Sequence, residues 1–274
     1  MKEKLISDLE DKAKRIRHHV VAMIEKAGSG HPGGSLSCVD VLTVLYSYKM
    51  HHNPKDPGWL ERDRFVLCKG HAAPTLYAVL AEGGYFPVEE LSKLRIFKSI
   101  LQGHPDRNRV PGIDVSSGSL GQGLSFANGL ALAGRLNKKG YRVYALLGDG
   151  ECDEGQVWEA AMTAVQYKID NLTAIVDRNG LQIDGPTESV MSLEPFAEKW
   201  RAFGWHVIEI DGHNIQEIIS ALNESGKIRG QPTVIIAHII KGKGVSFMEW
   251  EAGFHGRAPS REELELAIEE LDKK

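Results

Sequence analysis

Asp149 stands between two glycines in Gly148-Asp149-Gly150, and Asn179 stands before another in Asp177-Arg178-Asn179-Gly180. Each group follows an apolar run, Val143 to Leu147 for the first and Leu172 to Val176 for the second, with a stretch of helical period from about Gly155 between them. This order predicts strand, loop, helix, strand, loop, with both loops at the carboxyl ends of neighbouring parallel strands, where open α/β sheets bind ligands. A carboxylate and an amide oxygen brought side by side are hard ligands. With positions left open for diphosphate oxygens and water, they suit Mg²⁺. Gly148 and Gly150 allow close backbone approach to a phosphate, and the helix starting near Gly155 turns its N-terminal dipole toward it. Either glycine motif alone reads as a turn; the pair, one βαβ unit apart, carries the ligand reading.

Four histidines share this loop setting: His31 in His-Pro-Gly-Gly, His71 after Lys69-Gly70, His104 between Gly103 and Pro105, and His255 before Gly256. A single loop histidine is usually only solvated, but imidazoles near neutral pKa move protons and donate hydrogen bonds to developing oxyanions. The cluster Ser117-Gly118-Ser119-Leu120-Gly121-Gln122-Gly123 is spaced G-x-x-G-x-G and no strong strand precedes it, so a dinucleotide fingerprint is a weak reading. No P-loop is present.

The elements that must position these residues follow from periodicity. Leu9, Ala13, Ile16, Val20 and Met23 predict a helix over 3–27, with a Ser7/Glu10 capping pattern that falls inside it. Ser37 is expected to cap a helix from Cys38 to about Lys49, with Asp40 completing the box. A strand over Arg64 to Cys68, a helix over Ala72 to Ala81, a short helix over Val88 to Leu94 and a helix over Ser125 to Lys138 come next. After the central unit, helices over Leu193 to Phe203 and Asn214 to Leu222 alternate with strands over Trp205 to Ile210 and Thr233 to Ile239. Ser260 and Glu263 predict a capped final helix over Arg261 to Leu271. The alternation predicts an α/β fold: a doubly wound, mostly parallel sheet with helices on both faces. One domain over 1–274 is expected, with 256–274 as a C-terminal helix or tail.

Composition bounds the function. The 274 residues are 42% hydrophobic and 26% charged, enough for one large core. A net charge of −4 predicts no attraction to nucleic acid or anionic membrane. Cys38, Cys68 and Cys152 have no CxxC spacing, which argues for a reducing, cytoplasmic setting and against a zinc or disulfide framework. The N-terminus is too charged for a signal peptide and no apolar run reaches membrane length. The sequons at Asn171 and Asn223 are therefore read as chance.

Six motifs in order resemble the N-terminal, diphosphate-binding domain of transketolase: HPGG at 31–34, KGHAAPTLYAVLAEGG at 69–84, GHP at 103–105, GSLGQGL at 118–124, the central GDG…N unit, and KGKGVSFME…FHG at 241–256. Deoxyxylulose-phosphate synthases and dehydrogenase E1 subunits share the metal motif and stand as alternatives, as does a non-catalytic protein of the same fold. The resemblance implies thiamine diphosphate with Mg²⁺ or another divalent cation. It implies cation ligation by Asp149, Asn179 and the Leu181 carbonyl. The Gly150 amide, His71 and His255 are implied at the diphosphate, with Gly148, Glu151 and Ser119 beside the cofactor. Gly118 and Leu120 are implied at the aminopyrimidine and Ile183 at the thiazolium. His31, His104 and His255 are implied at the donor sugar, and Glu154 in a carboxylate network at the subunit interface. The implied reaction is two-carbon ketol transfer from a ketose phosphate to an aldose phosphate. The pyrimidine-activating glutamate and the phosphate-holding basic residues of that family belong to further domains. The chain is therefore expected to be the N-terminal subunit of a split enzyme, an α₂β₂ assembly with a C-terminal partner that carries the pyrimidine-binding and C-terminal domains.

Overall fold

The structure, a computed structural model, describes residues 2–273. It opens with α1 (Lys2–Ala27), α2 (Pro32–Ser37) and α3 (Val39–Val44), then β1 (Arg64–Leu67) and α4 (Ala73–Glu82). A long loop region leads to α5 (Gly123–Leu136), β2 (Val143–Gly148), α6 (Gly155–Gln166) and β3 (Leu172–Arg178). A small antiparallel hairpin, β4 (Leu181–Gln182) and β5 (Gly185–Pro186), precedes α7 (Thr187–Val190) and α8 (Phe196–Ala202). The chain continues through β6 (His206–Asp211), α9 (Ile215–Ser225), β7 (Thr233–His238) and α10 (Arg261–Lys273).

Five of these strands form one sheet in the order β1-β2-β3-β7-β6, every neighbour parallel. Side chains of a strand alternate between faces, and here the alternation feeds two separate cores. Tyr144, Leu146, Ile175 and Ile235 pack with α1, α3, α4, α9 and α10 on one face. Val143, Ala145, Leu147, Ala174 and Val176 pack with α5, α6 and α8 on the other. This is the doubly wound sheet predicted from the β/α rhythm. The second core contains an aromatic stack: the Trp158 ring centroid is 5.1 Å from Trp200, and Trp200 is 5.0 Å from Trp205. Among the described residues no helix is long and apolar enough to cross a membrane.

Local departures from the predicted elements have identifiable causes. The single helix expected from Cys38 to Lys49 is broken. Pro32, pre-set for a first helical turn, starts α2 directly after His31; α3 follows after a break at Cys38, and a π-helical turn over Leu45–Lys49 ends it. Ser37 caps nothing, because its hydroxyl donates to Gly34 O and Asp177 Oδ2. Asp40 completes no box; it accepts from Arg17 at 2.6 Å and from His213 at 2.8 Å. The Ser7/Glu10 pattern lies in mid-helix within α1. The Val88 segment is a 3₁₀ helix over Val88–Lys93. The helix expected from Leu193 begins only at Phe196, since Pro195 keeps Glu194 out of helical backbone. The Ser260–Glu263 capping box forms in both directions, and α10 lays Leu264, Ala267 and Leu271 into the first core.

Candidate functional site

Three adjacent strands end at one edge of the sheet and deliver the candidate ligands there. β2 ends at Gly148 and hands over to Asp149; β3 ends at Arg178 and hands over to Asn179; β1 is followed by Lys69 and His71. Asp149, Asn179, Leu181, Gly148, Gly150, Glu151, Glu154, Leu120, Ile183, His71 and His255 line a single cleft together with Lys69 and Lys241. A 3₁₀ turn over Gly150–Asp153 stands between β2 and α6, so this turn, and not the start of α6, faces the cleft first.

Asp149 is 2% exposed. Its Oδ1 accepts from the Gly150 amide at 2.8 Å, and its Oδ2 from the Gly180 amide at 2.6 Å and from Arg178 at 3.2 Å. Burial, and then the neighbouring Asp177 carboxylate, push its pKa above the usual carboxylate range. Asn179 is fixed from behind: its amide nitrogen donates to Asp177 Oδ1 at 2.9 Å, which defines which end of the amide is oxygen, and its Oδ1 accepts from the Leu181 amide. Asp177 is in turn anchored by Lys69, which also donates to Gly34 O and Ser37 Oγ. Burial alone would raise the Asp177 pKa, but the Lys69 charge brings it below its ordinary value. A ligand oriented by a hydrogen-bonded carboxylate is the usual outer arrangement of a metal site. The donor chemistry fits a hard divalent cation: one carboxylate, one amide oxygen and the Leu181 carbonyl share the cleft. That carbonyl already accepts from the Lys241 ammonium at 2.9 Å. Among the described residues no three His, Cys, Asp or Glu side chains are grouped to hold a metal by themselves.

The histidines form a cluster. Ring centroids are 5.2 Å apart for His31 and His71, 5.2 Å for His71 and His255, and 5.6 Å for His31 and His255. Close packing explains Gly34, where a Cβ would lie 3.2 Å from His71 Nε2, and Gly118, where it would lie 3.2 Å from the His104 ring. Tyr77 sets the His104 loop by donating its hydroxyl to the carbonyls of Gln102 and His104. His255 Nδ1 accepts from Lys241 Nζ at 3.0 Å, which leaves the ring neutral with its proton on Nε2. His31 Nδ1 is buried without a partner. Burial and then the Lys241 charge lower His255 to about 3, and burial and then Arg95 lower His31 to about 4. Burial and then Lys69 put His71 well below its ordinary value. Burial and then Lys69 lower Lys241 to about 8. The cleft thus offers neutral imidazoles backed by two buried ammonium groups, a surface suited to a polyanion.

These depressed values set a pH dependence. Each histidine has a folded pKa below its unfolded 6.5, so below that pH the unfolded chain holds more protons. Stability from this source is present above about pH 6.5 and is lost as pH falls toward about 4 for His31. We expect His31→Gln, measured by urea unfolding of the ligand-free chain, to flatten this acid slope by up to about 1.4 kcal/mol per pH unit. Identical slopes for the variant and the wild type would refute it.

The remaining sequence candidates are placed as follows. Glu151 lies on the cleft wall, but its two oxygens accept from the amides of Gly121 and Gly148, each at 3.0 Å. It therefore pins the glycine loop to the end of β2 while lining the cleft; burial raises it to about 7 against those two bonds. Gly118 and Ser119 border a neighbouring groove with Ser117, Gln122 and Phe126. His104 is outside the cleft and reaches this groove through Gly118. The Gly150 amide is held by Asp149. Sequence reasoning missed Lys69, Lys241, Asp177, Arg178 and the β4–β5 hairpin. The signal for the lysines was present: each occupies a glycine-flanked position just past a strand.

Known proteins resemble this chain in sequence and in fold. The family model described as "Transketolase, thiamine diphosphate binding domain" matches residues 9–272. A protein of Clostridium sp. (strain MSTE9) named as a 6-deoxy-6-sulfo-D-fructose transketolase subunit is 48% identical over 97% of this chain and 97% of its own length. A Phocaeicola vulgatus protein named as one subunit of an apulose-4-phosphate transketolase is 45% identical over 98% of this chain and 95% of its own length. The solved transketolase of Campylobacter jejuni superposes with a TM-score of 0.92 at 34% identity, covering 97% of this chain and 43% of that one. The chain therefore spans nearly all of two relatives named as subunits and less than half of a solved transketolase.

Proposed function

Because this chain belongs to the transketolase family through its thiamine diphosphate binding domain, we propose that it is the N-terminal subunit of a ketol-transferring enzyme. In this reading it moves a two-carbon unit from an anionic ketose to an aldose phosphate. The observation that supports it most is the convergence of Asp149, Asn179 and Leu181 with His71, His255 and Lys241 on one cleft. The domain's cofactor is thiamine diphosphate with a divalent cation, which we take to be Mg²⁺. Asp149, Asn179 and the Leu181 carbonyl would hold the cation. His71, His255, Lys241 and the Gly150 amide would meet the diphosphate, with Gly148 and Glu151 shaping its bed. Gly118, Ser119 and Leu120 would border the aminopyrimidine, and Ile183 the thiazolium. When bound, the cofactor supplies a carbanion and stores the two-carbon fragment.

The chain's own residues would bind, orient and move protons. His31 and His104, with His255, would hydrogen-bond the donor's hydroxyls, and neutral rings can accept a proton from a hydroxyl beside a carbonyl. Lys241 would offset part of the diphosphate charge, while Lys69 is already paired with Asp177 and holds the cleft floor. Two relatives carry names with a sulfonated and a phosphorylated sugar, which supports an anionic sugar for this chain. Residues 1–274 are read as one diphosphate-binding domain with 256–274 as its C-terminal helix. Glu154, at the cleft edge, is read as facing a subunit interface. The partner is a C-terminal half-chain in an α₂β₂ assembly. The setting is cytoplasmic, where Cys38, Cys68 and Cys152 stay reduced, and the pathway is that of pentose phosphates. Product analysis of the reconstituted complex on ketose and aldose phosphates is the test: two-carbon transfer is expected, and its absence while cofactor binds would overturn the reading.

A second expectation concerns the histidines. His31→Ala and His104→Ala should keep a melting temperature near that of the wild type, because neither side chain carries a structural hydrogen bond and such changes usually cost within about 0.5 kcal/mol. Each should lower kcat/KM at least about tenfold in the complex. Wild-type kinetics in both variants would remove the donor-site assignment.

A further inference from the structure

Arg178 is the last residue of β3 and its side chain is 10% exposed. One guanidinium nitrogen, Nη1, donates to Asp149 Oδ2 at 3.2 Å and to Thr187 Oγ1 at 2.8 Å. The other, Nη2, donates to Glu188 Oε1 at 2.9 Å and Glu194 Oε1 at 3.0 Å. The guanidinium carbon also stands 5.7 Å from the Phe196 ring centroid. Its four oxygen partners fall into two groups. Asp149 belongs to the end of the neighbouring strand; Thr187, Glu188 and Glu194 belong to the far end of a segment that begins immediately after Arg178 itself.

That segment, 179–194, carries Asn179, Leu181 and Ile183. Its near end is the Asn179 turn, and its far end returns to the same arginine, so Arg178 closes the loop on its own root. The loop has other anchors as well: Thr187 donates its amide to Gly180 O and Leu193 is buried in the second core, while residues 188–192 between them are exposed and make the Arg178 contacts through Glu188. Glu188 also organises the return locally, accepting from Ser192 Oγ and the Leu193 amide, and Glu194 accepts from the Phe196 amide. A planar fork with several donors can hold two such groups at once; a lysine, one compact charge, cannot.

We propose that Arg178 is a positioning residue that couples cation binding at Asp149 to closure of the 179–194 loop. The inference rests on the proposed cation and cofactor site. Fixing Oδ2 of Asp149 holds the carboxylate for the cation, and the other side of the same guanidinium holds the loop that brings Leu181 and Ile183 to the cofactor. Removing it should therefore weaken cation binding and free the loop together, which a residue serving only one of them would not do.

The test uses the reconstituted complex, with calorimetric titration of thiamine diphosphate across a Mg²⁺ series and hydrogen exchange of the peptides spanning 179–194. The wild type is expected to bind cofactor in a Mg²⁺-dependent way, with slower exchange at 187–194 once loaded. Arg178→Gln is expected to raise the Mg²⁺ needed for half-saturation about 10- to 100-fold, the usual effect of losing an outer partner of a ligand. It should also lose the slowing of exchange. The double variant Glu188→Gln, Glu194→Gln keeps acceptors for the local amides but removes both charges facing Arg178, and it leaves the Asp149 pair intact. It is expected to exchange faster at 187–194 and to need more Mg²⁺ than the wild type. A Mg²⁺ requirement within twofold of the wild type for Arg178→Gln, or wild-type exchange in the double variant, would overturn the coupling while the function stands. Absence of any Mg²⁺-dependent cofactor binding in the wild type would overturn the function and the coupling with it.

Discussion

Asp149→Ala is expected to weaken thiamine diphosphate binding in the presence of Mg²⁺ by one to two powers of ten, about 1.4 kcal/mol for each. The substitution removes the only carboxylate of the proposed ligand set and leaves the diphosphate charge less well neutralised. It also strips an acceptor from the amides of Gly150 and Gly180 and an ion-pair partner from Arg178. Asp149→Asn separates these effects. It keeps an oxygen for one amide but not the charge, so its affinity should fall nearly as far while its fold is better preserved. Unchanged binding by calorimetry in Asp149→Ala would sink the cation assignment.

Assayed alone with thiamine diphosphate and Mg²⁺, the chain is expected to show less than about a hundredth of the rate it reaches with its C-terminal partner, the scale of one missing general acid–base group. The cleft is open where a second chain would close it. Ile183 is 64% exposed, and Phe126 on α5 and Met162 on α6 are about half exposed. These exposed apolar side chains would lie against the partner in the proposed assembly. In the proposed assembly a partner glutamate would complete the proton path to the cofactor, and partner side chains would cover the groove beside Gly118 and Ser119. Mixing the two chains should raise activity and cofactor affinity together. Full activity from the isolated chain would refute the split arrangement.

The fold was legible because its signals are local and repeated. Five apolar runs separated by helical periods specify a parallel sheet, and the unbroken burial of Val143–Leu147 is what a strand covered on both faces requires. The ligand candidates were legible for the same reason: Asp149 and Asn179 follow those runs directly. What escaped was set by long-range charge. Ser37 looked like a helix cap, yet its hydroxyl serves Asp177, 140 residues away in sequence. Asp40 looked like its companion, yet it answers Arg17 and His213 from other elements. Lys69 and Lys241 stand beside glycines just past strands, a weak signal by itself, and their burial beside Asp177 and His255 gives it meaning. Glu151 lines the cleft as its motif suggests, and its two bonds to the Gly121 and Gly148 amides are a role that the motif alone does not show.

The aromatic stack of the second core gives the molecule an optical handle. Three of its five tryptophans, Trp158, Trp200 and Trp205, form one chain of rings, with neighbouring centroids about 5 Å apart. Indoles that close can exchange excitation, so their absorption, emission and near-ultraviolet circular dichroism depend on how the rings are placed. The set is bolted to both loops of the cleft: Trp158 Nε1 donates to the carbonyl of Cys152, three residues past Asp149, and Phe196 packs edge-on to Trp200 beneath Arg178. A change at either strand end therefore reaches the chromophores within one or two contacts, and the chain can report what happens in its cleft without an attached dye.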